Sequence, residues 1–350
     1  MKIIKILLLI LFTGVATPAW PQTSASLSLQ FSNGYPRLGI SGSVSNACTV
    51  QSSTNLTQIN PWHYQTYFQL TNSHALFVDT NQPPSGLRFY RVFTQQLPTN
   101  VVPVTNMIWI SPGTFTMGSP SNEALRGSDE TQHTVTFSHG FYMGQYLVTQ
   151  TNYQALTSNN PSFFTFLPQS TNRPVDSVEW SDATNYCALL TKQEQTAGRT
   201  PTNWVYRLPT ESEWEYACRA GTTTAFYYGN DLLSGMANFD GTNEYDATIG
   251  TIYNPSGTYL QQTTVVGNYQ PNAWGLFDMC GNVLEWCQDL YGPYPAGPVT
   301  DPQGATTGTD YVLRGGDWNA AGQYCRSAQR FNSSTTAFFV GFRIVLAPSP

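Results

Sequence analysis

The stretch Tyr206 to Gly221, YRLPTESEWEYACRAG, constrains the fold more than any other part of the chain. Leu208 and Pro209 end an extended segment. Thr210 can then accept from a free N–H group of a new helix, and Glu213, three residues on, can bond back to the Thr210 N–H. The spacing predicts a helix that begins at Thr210 and carries Trp214 and Tyr216.

Around that helix the composition favours loops. With 9 Trp, 20 Tyr, 28 Gly and 23 Pro in 350 residues, the chain suits a loop-rich globular fold better than a helical bundle. Charged residues make up only 10%, and the net charge of -6 gives nucleic acid no electrostatic foothold. A hydrophobic content of 40% excludes disorder.

At the N-terminus, Lys2 and Lys5 precede the apolar run Ile6 to Phe12, and small residues follow at Gly14, Ala16, Ala19 and Ala25. That is the layout of a secretory signal peptide, assigned to 1–25. Ile6 to Ala16 falls short of the ~20 apolar residues that span a bilayer, so no membrane span is expected after cleavage. Export to a periplasmic or extracellular space implies oxidising surroundings for the cysteines.

From Ser26 to Gln96, short runs such as RLGISGSV, CTVQSSTNL, ALFVDT and LRFYRVF alternate apolar and polar residues between turn-forming residues. These predict a small all-β sandwich over 26–97. His63 and His74 have no acidic or cysteine neighbours and read as surface residues. Residues 98–106, within QQLPTNVVPVTN, read as a linker, and a second domain follows over 107–347. Its other helix candidates are Tyr153 to Thr157 and Trp180 to Gln195, the second capped by Ser181, with Ala183, Cys187 and Leu190 at helical spacing. The insertion Gly241 to Thr263 is rich in Asn, Thr, Gly and Tyr and reads as an irregular loop.

Several strings, in order, resemble the formylglycine-generating (sulfatase-modifying factor) family: MIWISPGTFTMGS at Met107, RPVDSVEWSDATNYC at Arg173, YRLPTESEWEYACRAG at Tyr206, NAWGLFDMCGNVLEWC at Asn272, LRGG at Leu313 and GFR at Gly341. The resemblance runs from about Val104 to Leu346 and implies an α+β, C-type-lectin-like fold with long loops.

In that family, two cysteines shortly after the Gly-Gly motif bind copper(I) and convert a sulfatase cysteine to formylglycine, chemistry for which paired soft thiolates are suited. Here Gly315 to Arg330 holds one cysteine, Cys325, and Ala320 stands where the first catalytic cysteine is expected. Without a gap, Cys325 falls in register with the second catalytic cysteine; matched through CRSAQR, it falls beside a structural one. Asp317 replaces the usual small hydroxyl residue after Gly-Gly, and Phe339 the usual Asn before Gly-Phe-Arg. Trp286 matches a pocket tryptophan, although a core role serves the same residue. Cys325 and Trp286 are therefore the catalytic candidates only if oxidase activity survives, and copper is not expected.

The resemblance also implies calcium at Asn282, Glu285 and the Val283 carbonyl, hard oxygen ligands at short spacing. Glu285 could instead pair with Arg314 or Arg343. A second family site falls on Asn238 and the Phe239 carbonyl, with no acidic partner identified downstream. By the same resemblance, Cys218 pairs with Cys325, Cys287 being the alternative partner, and Cys187 is left as a buried thiol because Ile344 stands in its partner's place.

Three readings follow. The first is a non-oxidase binding or accessory protein for a protein, peptide or glycan ligand. The second is a formylglycine-generating oxidase acting on a sulfatase. The third is a ligand-displaying scaffold akin to the variable proteins of diversity-generating retroelements, with Asn319 to Tyr324 and Asn332 to Phe339 displayed. A three-histidine iron site finds no support in four scattered histidines.

Overall fold

The computed structural model describes residues 26–32, 35–58, 61–80 and 88–349, so the signal-peptide segment 1–25 lies outside the described residues. The chain divides into two compact units, one of residues up to 99 with 273–275 and one of 100–272 with 276–350. Among the described residues, no helix is long and apolar enough to cross a membrane.

The first unit holds β1 (Ser26–Ser32), β2 (Tyr35–Ser41), β3 (Asn46–Ser53), β4 (His63–Gln69), β5 (His74–Val78) and β6 (Phe89–Gln96). They form two three-stranded antiparallel sheets, ordered β1-β2-β5 and β4-β3-β6. In β2, burial alternates residue by residue, the period-2 pattern of a strand with one face inward. Ile40 from the first sheet and Cys48 and Val50 from the second share one apolar cluster with Leu70.

The second unit is mostly strand, with three helices. Its elements are β7 (Met107–Ile110), β8 (Gly113–Met117), β9 (His133–Phe137), β10 (Phe141–Gly144), α1 (Gln150–Thr157), α2 (Trp180–Thr196), β11 (Trp204–Arg207) and α3 (Glu211–Arg219). There follow β12 (Asn243–Asp246), β13 (Gly250–Tyr253), β14 (Leu284–Leu290), β15 (Val299–Thr300), β16 (Tyr311–Arg314), β17 (Phe331–Ser333), β18 (Val340–Gly341) and β19 (Val345–Pro348). The first and last of these strands share the sheet β11-β19-β10-β7, so both ends of the unit are fixed in one antiparallel ladder. A second sheet, β17-β16-β14-β18, carries the Gly-Gly motif at the end of β16.

The helix at Thr210 forms as its sequence dictates. Thr210 Oγ1 accepts from Glu213 N at 3.2 Å and Glu213 Oε2 accepts from Thr210 N at 2.8 Å. Ala220 closes it in the left-handed region at φ 46°. All nine residues of α3 are buried, charged ones included, so each charge needs a partner: Glu211 pairs with Arg330, Glu213 with Arg207, and Glu215 with Arg219 and Arg314.

Two local expectations change. Helix α2 is capped at Glu179, two residues before Ser181, because Asp182 Oδ2 accepts from the Glu179 N–H at 3.2 Å. The insertion Gly241 to Thr263 holds a hairpin, β12 paired with β13 from Asn243↔Tyr253 to Asp246↔Gly250. Asp246 Oδ1 accepts from Thr248 N at 2.8 Å and Ile249 N at 3.2 Å, and Gly250 takes φ 85°, so turn chemistry closes a hairpin that the polar composition conceals.

Candidate functional site

The Gly-Gly motif makes a sharp bend out of β16. Gly315 and Gly316 lie at φ 98° and 72°, and a Cβ on Gly316 would come within 2.6 Å of Cys325 Sγ and 2.9 Å of the Tyr324 carbonyl. The bend thus requires glycine and presses directly on Cys325. Asp317 Oδ1 then accepts from Asn319 N at 2.8 Å, and the Asp317 carbonyl from Ala320 N at 3.1 Å, folding the next residues into a tight turn. A 3₁₀ turn over Gly322–Cys325 follows, and Arg326 pins it. Fully buried, Arg326 makes 2.8 Å bonds to both carboxylate oxygens of Glu130 and a 2.6 Å bond to Glu123.

On this frame lies a connected set of aromatic rings. Trp318 sits 5.6 Å from Phe164, 5.8 Å from Phe338 and 6.5 Å from Tyr259, and Phe163 sits 5.5 Å from Phe338. Phe163, Phe166 and Phe338 remain 55%, 71% and 44% exposed. Tyr259, from the insertion, hydrogen-bonds Asn319 Oδ1, so the insertion joins the same face. Asn319, Tyr324, Asn332 and Phe338 are exposed, whereas Cys325 beneath them is not. Burial, with the nearby Asp317 charge, drives the Cys325 thiol far above its ordinary value.

Asp317 itself is held up to about 6 by burial, against which the Asn319 and Ala320 N–H groups act only in part. Its folded-state value exceeds the 3.8 of an ordinary Asp, so the stability linked to its proton is complete below about pH 4 and is lost as pH rises through 6. Thermal midpoints taken from pH 4 to 7 should therefore fall more in the wild type than in Asp317→Asn. Parallel profiles would refute this assignment.

The other candidate residues serve the core. Trp286 is fully buried and donates from Nε1 to the Val178 carbonyl at 2.8 Å. Glu285, also fully buried, gives both carboxylate oxygens to Arg343, at 2.6 and 2.9 Å. Asn238 and Asn282 do meet: Asn282 N donates to the Asn238 carbonyl at 2.8 Å and Asn238 Nδ2 to Asn282 Oδ1 at 3.2 Å. Asn282 Oδ1 also accepts from Thr264 N at 2.9 Å, and Val283 and Phe239 are buried beside these residues in the chain. With Glu285 committed to Arg343, this set offers calcium no free carboxylate, although Asn238 Oδ1 stays buried without a hydrogen-bond partner. Among the described residues, no group of three or more His, Cys, Asp and Glu could hold a metal.

The expected Cys218–Cys325 disulfide is absent, and so is its alternative with Cys287: all six cysteines are free and buried. Cys218 Sγ lies instead 3.6 Å from the Met279 carbonyl and 3.6 Å from Ser327 Oγ, with the Cys280 thiol beside it. Copper fits no better, since Cys325 has no exposed cysteine beside it.

Comparison with known proteins decides the family. Residues 93–348 match the model of the Sulfatase-modifying factor enzyme 1-like domain. The chain belongs to this family. The formylglycine-generating enzyme of Streptomyces coelicolor is 36% identical over 156 residues, 44% of this chain and 45% of that protein. The mouse formylglycine-generating enzyme is 26% identical, with 69% and 74% covered. A protein named serine/threonine-protein kinase pkn1, from Chlamydia pneumoniae, is 28% identical over 67% of this chain. The chain spans less than half the length of the Streptomyces relative and 36% of the chlamydial one. Among solved structures, Treponema denticola variable protein 1 superposes with a TM-score of 0.57 at 26% identity, covering 69% of this chain and 95% of that one. PvdO from Pseudomonas aeruginosa gives 0.55 at 28% identity, covering 69% and 93%.

Within this family member, the sequence pointed to Asn319 to Tyr324 and Asn332 to Phe339 but not to Phe163, Phe166 or Tyr259. The signal available was the string PSFFTFLP at Pro161 to Pro168, three phenylalanines in a proline-bounded loop with no strand or helix period.

Proposed function

We propose that this chain is an exported binding or accessory member of the sulfatase-modifying factor family that does not generate formylglycine. The observation that carries this reading is the state of Cys325: one thiol, fully buried under Gly316, with Ala320 in the place of its expected partner. Copper(I) held by a single inaccessible thiol lacks the paired site that would bring the substrate thiol to it. The exposed aromatic face around Trp318 supports binding, because rings left in water on a folded surface are costly unless a partner covers them. Its ligand is a peptide or glycan able to stack on phenyl rings. The likeness to a protein titled Treponema denticola variable protein 1 favours a binding reading over the oxidase. The N-terminal unit is read as an appended β-sandwich, and its role is accessory.

The test is incubation of the copper-loaded protein with a Cys-x-Pro-x-Arg peptide, followed by mass spectrometry. No formylglycine is expected. Conversion above a no-enzyme control that disappears in Cys325→Ala would establish the oxidase reading instead. A glycan and peptide array probed with wild type and with Phe163→Ala/Phe166→Ala/Phe338→Ala then tests the binding face; equal binding by both would remove it.

A further inference from the structure

Two buried thiols, Cys218 and Cys280, lie beside each other near the Gly-Gly bend that covers a third, Cys325. Cys218 lies near the C-terminal end of α3, Cys280 in the turn before β14, and Cys325 in the 3₁₀ turn after Asp317. The thiols of Cys218 and Cys280 are within hydrogen-bonding reach of each other, and Cys218 Sγ also lies 3.6 Å from the Met279 carbonyl and 3.6 Å from Ser327 Oγ. On the other side of the same turn, Gly281 N donates to the Gly315 carbonyl at 2.8 Å, which fixes the turn against the bend that covers Cys325.

We infer that Cys218 and Cys280 are the pair that closes into a disulfide when this chain folds in the presence of a disulfide oxidant, and that Cys325 stays a thiol. Two thiols that lie beside each other need little backbone movement to reach bonding distance. With glutathione disulfide as oxidant, the Cys218 thiolate attacks one sulfur and releases a first glutathione thiolate. The Cys280 thiolate then attacks the mixed disulfide at Cys218 and releases the second. The two cysteines lose two protons and two electrons, and one glutathione disulfide becomes two glutathione thiols. Closure precedes final burial, because the folded pair is sealed from solvent. The bond would tie α3 to the turn before β14, linking positions 62 apart in the chain and so restricting the unfolded state. The inference concerns the chain's own folding chemistry and holds whichever ligand it binds.

The experiment is peptide mapping of the full chain, both as purified from an oxidising compartment and after refolding from the reduced state in a glutathione redox buffer, with free thiols alkylated before digestion. A cross-linked Cys218–Cys280 peptide is expected, with Cys325 alkylated, and reductant should lower the thermal midpoint by several degrees. In Cys280→Ser, Cys218 should be alkylated and the effect of reductant lost. A dominant Cys218–Cys325 peptide in either chain, or six alkylated cysteines in a wild type shown to be folded by near-UV circular dichroism, would overturn the inference.

Discussion

Glu285→Gln should lower the free energy of unfolding by about 3–5 kcal/mol, and by the same amount in calcium as in chelator. Both partners of the Glu285–Arg343 pair are fully buried, and Arg343 also donates to the carbonyls of Gly144 at 3.0 Å and Phe277 at 2.9 Å. Neutralising Glu285 leaves the guanidinium charged and far from water. Its backbone bonds survive, but its directly paired carboxylate is gone, and Asp278 remains as the acidic neighbour. The double variant Glu285→Gln/Arg343→Met should recover much of the loss, because the pair's desolvation cost disappears with it. Urea unfolding with and without calcium separates the two roles of Glu285. Stabilisation of the wild type by calcium that vanishes in Glu285→Gln would restore the carboxylate as a metal ligand and end the ion-pair account.

What the sequence made legible was local. A capping box acts over four residues, so Thr210 and Glu213 could be paired from spacing alone, and the structure shows both bonds. Glu285 was harder, because either Arg314 or Arg343 could satisfy it. Register decides: Glu285 faces Arg314 across the antiparallel pair and Gly341 across the parallel one, but Arg314 is drawn away by Glu215, leaving Arg343 for Glu285. No single-sequence pattern carries that competition. The cysteine pairing was not legible for a related reason, since the resemblance takes no account of Cys280, whose thiol lies beside that of Cys218. The aromatic face was half visible. Phe338 lies within the segment expected to be displayed, whereas Phe163 and Phe166 reach it from a loop more than 150 residues earlier.

The larger effect is expected at Glu215, in the middle of the most informative motif of the chain. Its carboxylate is fully buried and accepts from Arg219 Nε at 2.8 Å, from Gly118 N at 2.9 Å and from Arg314 Nη2. Burial alone would raise its pKa, but the Arg219 and Arg314 charges outweigh that cost and hold it below the ordinary 4.5. The depressed value means that the linked stability is present above about pH 4.5 and is lost as pH falls through the folded-state pKa. Glu215→Gln removes it at every pH, strands the Arg219 guanidinium and leaves Arg314, which also donates to the carbonyls of Ser327, Ala328 and Gln329, with Glu211 alone at 3.6 Å. A loss of about 4–5 kcal/mol is expected at pH 7, a large part of the 5–15 kcal/mol that holds a typical domain folded. It should shrink toward acid pH, where the wild-type carboxylate is protonated as well. Urea midpoints at pH 7 and along a descending pH series check both halves, and a loss under 1 kcal/mol at pH 7 would show that the buried network contributes little. Because Arg314 also leads into Gly315 and Gly316, the same substitution should loosen the Gly-Gly bend and the aromatic face that depends on it. The charge pattern of ESEWEYACR is thus explained by what it supports: a buried helix whose carboxylates hold the arginines beside the Gly-Gly bend.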